Sequence, residues 1–398
     1  MSPPDLLDGF RDRRLAEALE RRIAERAGRL PRVPFTMMEV CGTHTVAIAR
    51  FGLRRLLPPA VRLVSGPGCP VCVTDAGFID AACELAGCGT ILATFGDMLR
   101  VPGTRSSLAE ARAAGADVRV CLSPLAALEW ARAAPGREVV LVAVGFETTT
   151  APLVRVVERA AAEGVRNVSL LTAFKTMPAA LDALLRAPDV TVDGFICPPH
   201  VSAIIGAAAY RPLAAAYRRP MVVAGFEPLD ILAGIDALLA QAERGAAEVE
   251  NRYTRVVHEQ GNPLAQALVR AHLEPEDAVW RGLGTIPGSG LRLRPAFAAW
   301  DARVRHQIEI RPGKSAAGCR CGDVLRGKID PAQCSLFGRA CTPSEPVGPC
   351  MVSAEGSCAA WYRYDRPAGA GAPPAGRHAT EERKHGSRVA SRRRKESS

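Results

Sequence analysis

From Phe35 to about Arg244 the chain alternates short apolar runs with amphipathic stretches. Eight runs stand out: FTMMEV, VRLVS, TILATF, DVRVCLS, EVVLVAVGF, NVSLLTAF, VDGFIC and PMVVAGF. Each reads as a strand buried on both faces, the signature of parallel α/β architecture. Upstream, Leu15, Leu19 and Ile23 recur every fourth residue, which lays an apolar stripe along a packing helix ended by Gly28. Eight strand–helix units either close into one barrel or divide into two open sheets of four strands, with a break near Arg132 to Arg137. Periodicity leaves both open. Beyond Glu250 the pattern changes to Asn251-Arg252-Tyr253, Trp280-Arg281-Gly282-Leu283-Gly284 and Ile286-Pro287-Gly288-Ser289-Gly290. The expected division is an N-terminal helix (1–30), α/β lobes over 31–135 and 136–245, an irregular domain over 246–365 organised by metal, and a basic tail over 366–398.

Composition changes this picture little. A chain of 398 residues, 48% hydrophobic and 23% charged, is long enough for two or three domains with substantial cores. The net charge of +10 suggests nucleic acid, but its distribution argues otherwise: the stretch from Arg366 onward holds nine Lys/Arg against three Glu, leaving the body only mildly basic. That stretch is rich in Pro, Gly, Ser and Arg, is expected to be disordered, and is assigned no function. The first residues carry Arg and Glu throughout and lack the apolar core of a signal peptide. No stretch approaches the roughly eighteen unbroken apolar residues of a membrane helix, so a cytoplasmic location is expected.

The conspicuous motifs follow the strands. Cys41-Gly42-Thr43-His44-Thr45 comes after the first run, Gly66-Pro67-Gly68-Cys69-Pro70-Val71-Cys72 after the second and Gly145-Phe146-Glu147-Thr148-Thr149-Thr150 after the fifth. All fall at strand carboxyl ends, the edge where α/β proteins bind ligands against helix N-termini. Gly-Phe-Glu recurs at 145–147 and 225–227, a weak hint of duplicated lobes. Cys69 and Cys72 have the two-residue spacing of a redox dithiol, or of half a zinc site that no second such pair completes. Cys41 and His44 form either a thiolate–imidazole metal site or a buried small hydrophobe beside a capping residue. Glu147, Glu227, Asp97 and His200 also sit at strand ends, where proton handling and plain capping explain them equally. Cys83, Cys88, Cys121 and Cys197 lie within apolar patterns and read as structural.

Six of the thirteen cysteines crowd into the forty residues from Cys319 to Cys358, as Cys319-x-Cys321-x12-Cys334-x6-Cys341-x8-Cys350-x7-Cys358. Such thiols form disulfides, bind zinc or hold an iron–sulfur cluster, and in a reducing compartment metal or redox chemistry leads.

Met38-Glu39-Val40-Cys41-Gly42-Thr43-His44-Thr45, the Gly66–Cys72 and Gly145–Thr149 segments, Pro199-His200-Val201-Ser202, Gly225-Phe226-Glu227-Pro228, Cys341-Thr342-Pro343 and the Gly348–Cys358 segment occur in one order. With them the chain resembles, from about Phe35 to Tyr364, the HypD family of [NiFe]-hydrogenase maturation proteins. The resemblance implies two Rossmann-like α/β lobes facing a cleft, not a barrel, plus a C-terminal [4Fe-4S] domain. It implies a scaffold that pairs with a HypC-type small chaperone and holds one iron while two cyanides and one carbon monoxide are added. Cyanide would arrive as a thiocyanate on a HypE-type donor, and the Fe(CN)2CO group would pass on to the hydrogenase large subunit precursor.

Cys41 would then be the thiolate on that transient iron, with His44 close enough to bind or steady it. Cys319, Cys334, Cys341 and Cys358 are assigned to the cluster, and Cys321 and Cys350 to an adjacent redox pair that passes electrons toward Cys69 and Cys72. Two alternatives differ in class. A stand-alone iron–sulfur thiol reductase needs Cys69, Cys72 and the cluster but not Cys41 or a small partner. A zinc-stabilised module using the basic tail on nucleic acid leaves the CGTHT and GFETT segments without a role.

Overall fold

The computed structural model describes residues 12–365; the basic tail lies outside them. All eight apolar runs form strands: β1 (Phe35–Glu39), β2 (Val61–Ser65), β3 (Ile91–Thr94), β4 (Val118–Val120), β5 (Val139–Gly145), β6 (Val168–Lys175), β7 (Gly194–Cys197) and β8 (Met221–Val223). Three more follow, β9 (Val249–Asn251), β10 (Leu273–Trp280) and β11 (Gly284–Leu293). They build two sheets, in the orders β2-β1-β7-β8-β9 and β10-β11-β6-β5-β3-β4. The first is parallel throughout. The second is parallel from β6 to β4, with the β10–β11 hairpin added antiparallel along β6. This is a two-lobed α/β architecture consistent with paired Rossmann-like units.

The eight strands do split four and four, but not at Arg132 to Arg137. β3 and β4 join β5 and β6, while β7 and β8 return beside β1 and β2. Both lobes are therefore discontinuous in sequence, and the boundaries expected at 135 and 245 do not follow the sheets. The 246–365 segment is likewise not one irregular unit, because β9 extends the first sheet and β10–β11 the second.

Burial explains why the strands were legible. Along β5, Val139, Leu141 and Ala143 enter one apolar cluster, whereas Val140, Val142 and Val144 enter another on the opposite face. A strand covered twice has no polar side to show. In the first sheet, Phe35 and Met37 face the core shared with α1, the helix Arg13–Ala27, while Met38, Phe195 and Val223 face a core that also holds Cys69, Cys72, Cys321, Cys350 and Cys358. The cysteine-rich segment is thus packed into the first sheet's own core.

Helix α1 begins at Asp12, whose carboxylate caps the amides of Arg14 and Leu15 at 2.7 and 3.2 Å, and it stops at Gly28 as expected. Its stripe is narrower than expected. Ile23 is buried but Leu15 is 53% exposed, because a four-residue step overshoots the 3.6-residue turn and the stripe drifts around the helix. Arg26 anchors the helix on Asp236 at 2.9 Å, joined there by Arg22. Among the described residues no helix is long and apolar enough to cross a membrane.

Candidate metal and thiol site

In the first sheet β1 continues to β2 on one side, while β7 and β8 lie on the other. Between β1 and β7 the strand order reverses, and loops at such a point leave a crevice at the carboxyl edge. Cys41 follows β1 there, and Pro198–Ser202 follows β7. Cys41 is the N-cap of α2, the helix Gly42–Arg50, in extended conformation (φ −147°, ψ 123°). The Gly66-Pro67-Gly68 turn lies against it. Gly42 N donates to Gly68 O at 3.0 Å, and a Cβ on Gly68 would stand 2.2 Å from the Cys41 nitrogen. Only glycine fits at that position.

The residue before this turn fixes it from below. Glu39 is fully buried and accepts from Cys41 N at 3.2 Å and from Thr45 Oγ1 at 2.7 Å. Burial pushes its carboxyl up to about 7, against the pull of Thr45, Ser65, Arg54 and the Cys41 amide. Burial likewise pushes the Cys41 thiol up to about 12; the His44 and Thr43 amides oppose this, and the Glu355 and Glu39 charges add to it. His44 donates from Nε2 to Gly225 O at 2.8 Å, so its Nδ1 carries the lone pair, buried and without a partner among the described residues. Burial holds the ring neutral by lowering its pKa to about 4. Phe226 packs between His44 and His200, with ring centroids 5.3 and 4.3 Å away.

The cysteine-rich segment reaches this turn through Glu355. Thr43 Oγ1 donates to Glu355 Oε1 at 2.8 Å, and a Cβ on Gly42 would meet the Glu355 side chain at 2.6 Å. The sequence reading gave Glu355 no role. It is one of four carboxylates between Cys319 and Cys358, with Asp323, Asp330 and Glu345, and nothing in the sequence sets it apart from them.

Cys69 caps the short helix α3 (Pro70–Val73); its Sγ accepts from Cys72 N at 3.2 Å and lies 2.6 Å from Cys72 Sγ. Cys72 is also in hydrogen-bonding contact with Cys350, and Cys350 in turn with Cys321 and Cys358. An unbroken line of thiols thus runs Cys69–Cys72–Cys350–Cys321. Cys72 is raised chiefly by burial, and Cys350 chiefly by its contact with Cys321.

That line ends at a small pocket lined by Cys319, Cys321, Cys334, Cys341 and Cys358 with Arg320, Leu336, Phe337 and Met351. Cys350 is absent from the lining. Among the described residues no three His, Cys, Asp or Glu converge as they would on a single ion. Cysteines spaced around an apolar chamber instead suit a polynuclear iron–sulfur group, which takes four thiolates.

The other candidates serve elsewhere. Asp97 accepts from Ser353 Oγ at 3.0 Å and Glu147 from Met177 N at 2.8 Å, ties that join segments rather than approach Cys41. Glu227 stands at the N-cap of the helix Pro228–Glu243. Cys121 and Cys197 are buried and Cys83 half-buried, but Cys88 is exposed. It ends the helix α4 (Ala76–Gly87) at the surface rather than sitting in an apolar pattern.

A family model named HypD, described as "Hydrogenase formation hypA family", matches residues 14–365. The chain belongs to the HypD family. It is 48% identical over 368 residues to the hydrogenase maturation factor HypD of Azotobacter vinelandii, covering 90% of this chain and 97% of the relative. The HypD of Rhizobium leguminosarum bv. viciae is 47% identical over 369 residues (90% and 95% covered), and that of Escherichia coli 45% over 333 residues (83% and 89%). The match takes in both sheets and the whole cysteine-rich segment. This HypD chain is accordingly a hydrogenase maturation factor, and its cysteines and Glu355 are read below in that setting.

Proposed function

We propose that this HypD, acting in the cytoplasm with a HypC-type chaperone, holds the iron on which the Fe(CN)2CO group of a [NiFe]-hydrogenase is assembled. The group would then pass to the hydrogenase large subunit precursor. The observation that carries the reading is the continuity of the site: Cys41 at the sheet's switch point, Cys69 next to the Gly68 that touches it, and buried thiols from there to the cysteine-lined cavity. In this reading Cys41 gives up its proton to become a soft thiolate ligand of the iron, and the His44 Nδ1 lone pair is at hand to bind or steady it.

Cyanide from a thiocyanate on a HypE-type donor requires cleavage of a sulfur–carbon bond with two electrons and one proton, giving a thiol and CN⁻. Cys69 and Cys72 supply both electrons by closing to a disulfide, releasing two protons of which one goes to the departing sulfur. Cys350 and Cys321 lie where they can reopen that disulfide by exchange. Cys319, Cys334, Cys341 and Cys358 would hold a [4Fe-4S] cluster that supplies single electrons when bound. Cys69 and Cys72 are only 4% and 0% exposed, which disfavours a stand-alone reductase acting on free disulfides.

The test is infrared spectroscopy of the chain purified anaerobically with its small chaperone, beside Cys41→Ala. Cyanide and carbonyl stretching bands in the wild type that vanish in the variant are expected. Their absence from an intact complex with an occupied cluster would refute the scaffold.

A further inference from the structure

Three segments at the carboxyl edge of the first sheet close around the residue that bonds His44. Gly225 follows β8, Tyr253 follows the neighbouring β9, and Asp230 lies in the first turn of the helix Pro228–Glu243. The Gly225 carbonyl accepts from His44 Nε2 at 2.8 Å. A Cβ on Gly225 would stand 2.1 Å from Asp230 Oδ2 and 2.6 Å from Tyr253 Cε2, so a carboxylate and a ring both press on this glycine.

Arg255 locks the two walls together. Its Nη1 donates to Asp230 Oδ1 at 3.1 Å and its Nη2 to Asp230 Oδ2, while its guanidinium carbon lies 4.2 Å from the centre of the Tyr253 ring. The Tyr253 turn is pinned separately: Asn251 Oδ1 accepts from Tyr253 N at 2.9 Å, and Asn251 Nδ2 donates to Val257 O at 2.7 Å. Tyr253 also meets Phe226 edge-on, with ring centroids 6.2 Å apart, and Phe226 is the ring packed between His44 and His200. The Asp230 side chain is 10% exposed and that of Arg255 41%. Helix polarity accounts for a carboxylate in that first turn. It does not account for the two-pronged bond from Arg255 or for the contact with Gly225.

Glycine has the backbone that turns most freely, and the carbonyl on which His44 depends belongs to one. We infer that Asp230, Tyr253 and Arg255 are positioning residues for His44, a clamp that holds the Gly225 carbonyl on Nε2 and so keeps the lone pair on Nδ1. What that lone pair serves rests on the iron-holding role proposed above; the clamp itself does not.

The experiment is nuclear magnetic resonance of the full chain labelled with ¹⁵N-histidine and prepared without added iron, which shows for each ring which nitrogen carries the proton. His44 is identified by the signals lost in His44→Gln. In the wild type the proton is expected on Nε2. Arg255→Ala opens the clamp while leaving both walls in place, and Asp230→Ala removes one wall. Each is expected to shift the ratio of the two His44 tautomers about fivefold toward Nδ1–H, the effect of losing one hydrogen bond of ordinary net strength. Asp230→Asn, which keeps the shape of the wall and an acceptor for Arg255, is expected to restore the wild-type pattern. A purely structural contribution would lower stability without moving the proton.

A wild-type ring protonated on Nδ1, or an unchanged His44 pattern in folded Arg255→Ala, would overturn the inference. The exposed Arg255 decides the matter if Asp230→Ala does not fold. A shift in Asp230→Asn as large as that in Asp230→Ala would likewise overturn the clamp. Missing cyanide and carbonyl bands in the wild-type complex would instead overturn the iron-holding role, and would leave the tautomer result standing.

Discussion

Replacing Glu147 by Gln should remove a specific pH dependence from the stability of this protein. Glu147 is the first residue of the helix Glu147–Glu163, where free amides favour an anion by about 0.3–1 kcal/mol. Its Oε1 accepts from Met177 N at 2.8 Å, but Oε2 is buried without a partner among the described residues. Desolvation wins, and burial pushes the carboxyl from an ordinary 4.5 up to about 7. In acid both folded and unfolded chains carry the proton, and the contribution to stability is whole. As the pH climbs past 4.5 the unfolded chain releases its proton while the folded chain keeps it, so stability falls, and the loss is complete once the pH has passed about 7.

At 1.36 kcal/mol per pH unit, that gap amounts to about 3 kcal/mol, of which about 2.5 falls between pH 5 and pH 8. Glutamine cannot titrate and keeps an oxygen for the Met177 amide. Urea unfolding of both proteins at pH 5, 6, 7 and 8, at constant ionic strength, isolates the effect, because every other titrating group cancels in the difference. The variant should gain on the wild type steadily with pH. A difference constant to within about 0.5 kcal/mol across the window would mean that the carboxyl ionises normally in the fold, and would refute the desolvation argument.

Three further outcomes are expected. Gly68→Ala forces the Cys41 backbone aside, costing about 3 kcal/mol and speeding iodoacetamide labelling of Cys41 by tenfold or more, read by mass spectrometry; unchanged labelling would show that the turn adapts. In Gly77→Ala, on α4, a Cβ would stand 1.6 Å from Arg311 O and 2.9 Å from Gly313 N, so the Arg311–Gly313 segment packed there should lift and become sensitive to protease near Arg311, whereas a wild-type digestion pattern would contradict this. On the proposed cluster and dithiol, Cys350→Ser should leave iron and sulfide content intact while an oxidised Cys69–Cys72 pair reopens slowly after a pulse of reductant, followed by differential alkylation; wild-type kinetics would exclude Cys350 from the electron path.

Legibility tracked burial and residue rarity. Strands such as β5, apolar on both faces, announce themselves, yet for the same reason they carry nothing that selects a neighbour. The interleaving of the two sheets was therefore invisible, although every one of the eight runs was a strand. β9 and β10 were missed because Val-Glu-Asn and Leu-Glu-Pro-Glu-Asp are edge sequences with half-buried, polar positions. Cys41, Cys69 and Cys72 stood out as reactive residues beside glycines at strand ends. Glu355 and Asp230 did not, since a single charged residue acquires meaning from its contacts. Those contacts lie 312 residues away at Thr43 and 25 away at Arg255.

The burial of Cys41 has a consequence for how such a site works. With its thiol pushed up to about 12, only about one molecule in 10⁵ carries a thiolate at pH 7, so the free cysteine is a poor nucleophile and is shielded from oxidation and stray alkylation. Displacing the proton at pH 7 costs about 7 kcal/mol. A divalent cation bound to several soft ligands supplies binding free energy of about 10–16 kcal/mol, judged from structural zinc sites, which is enough to drive deprotonation and leave a surplus. One thiolate alone does not reach that figure. On the proposed role, Cys41 therefore stays inert until the metal arrives together with further ligands, from His44 and from the partner. On that proposed role, the low dielectric around Glu39 and Cys41 would make iron capture conditional on the assembled complex rather than on the chain by itself.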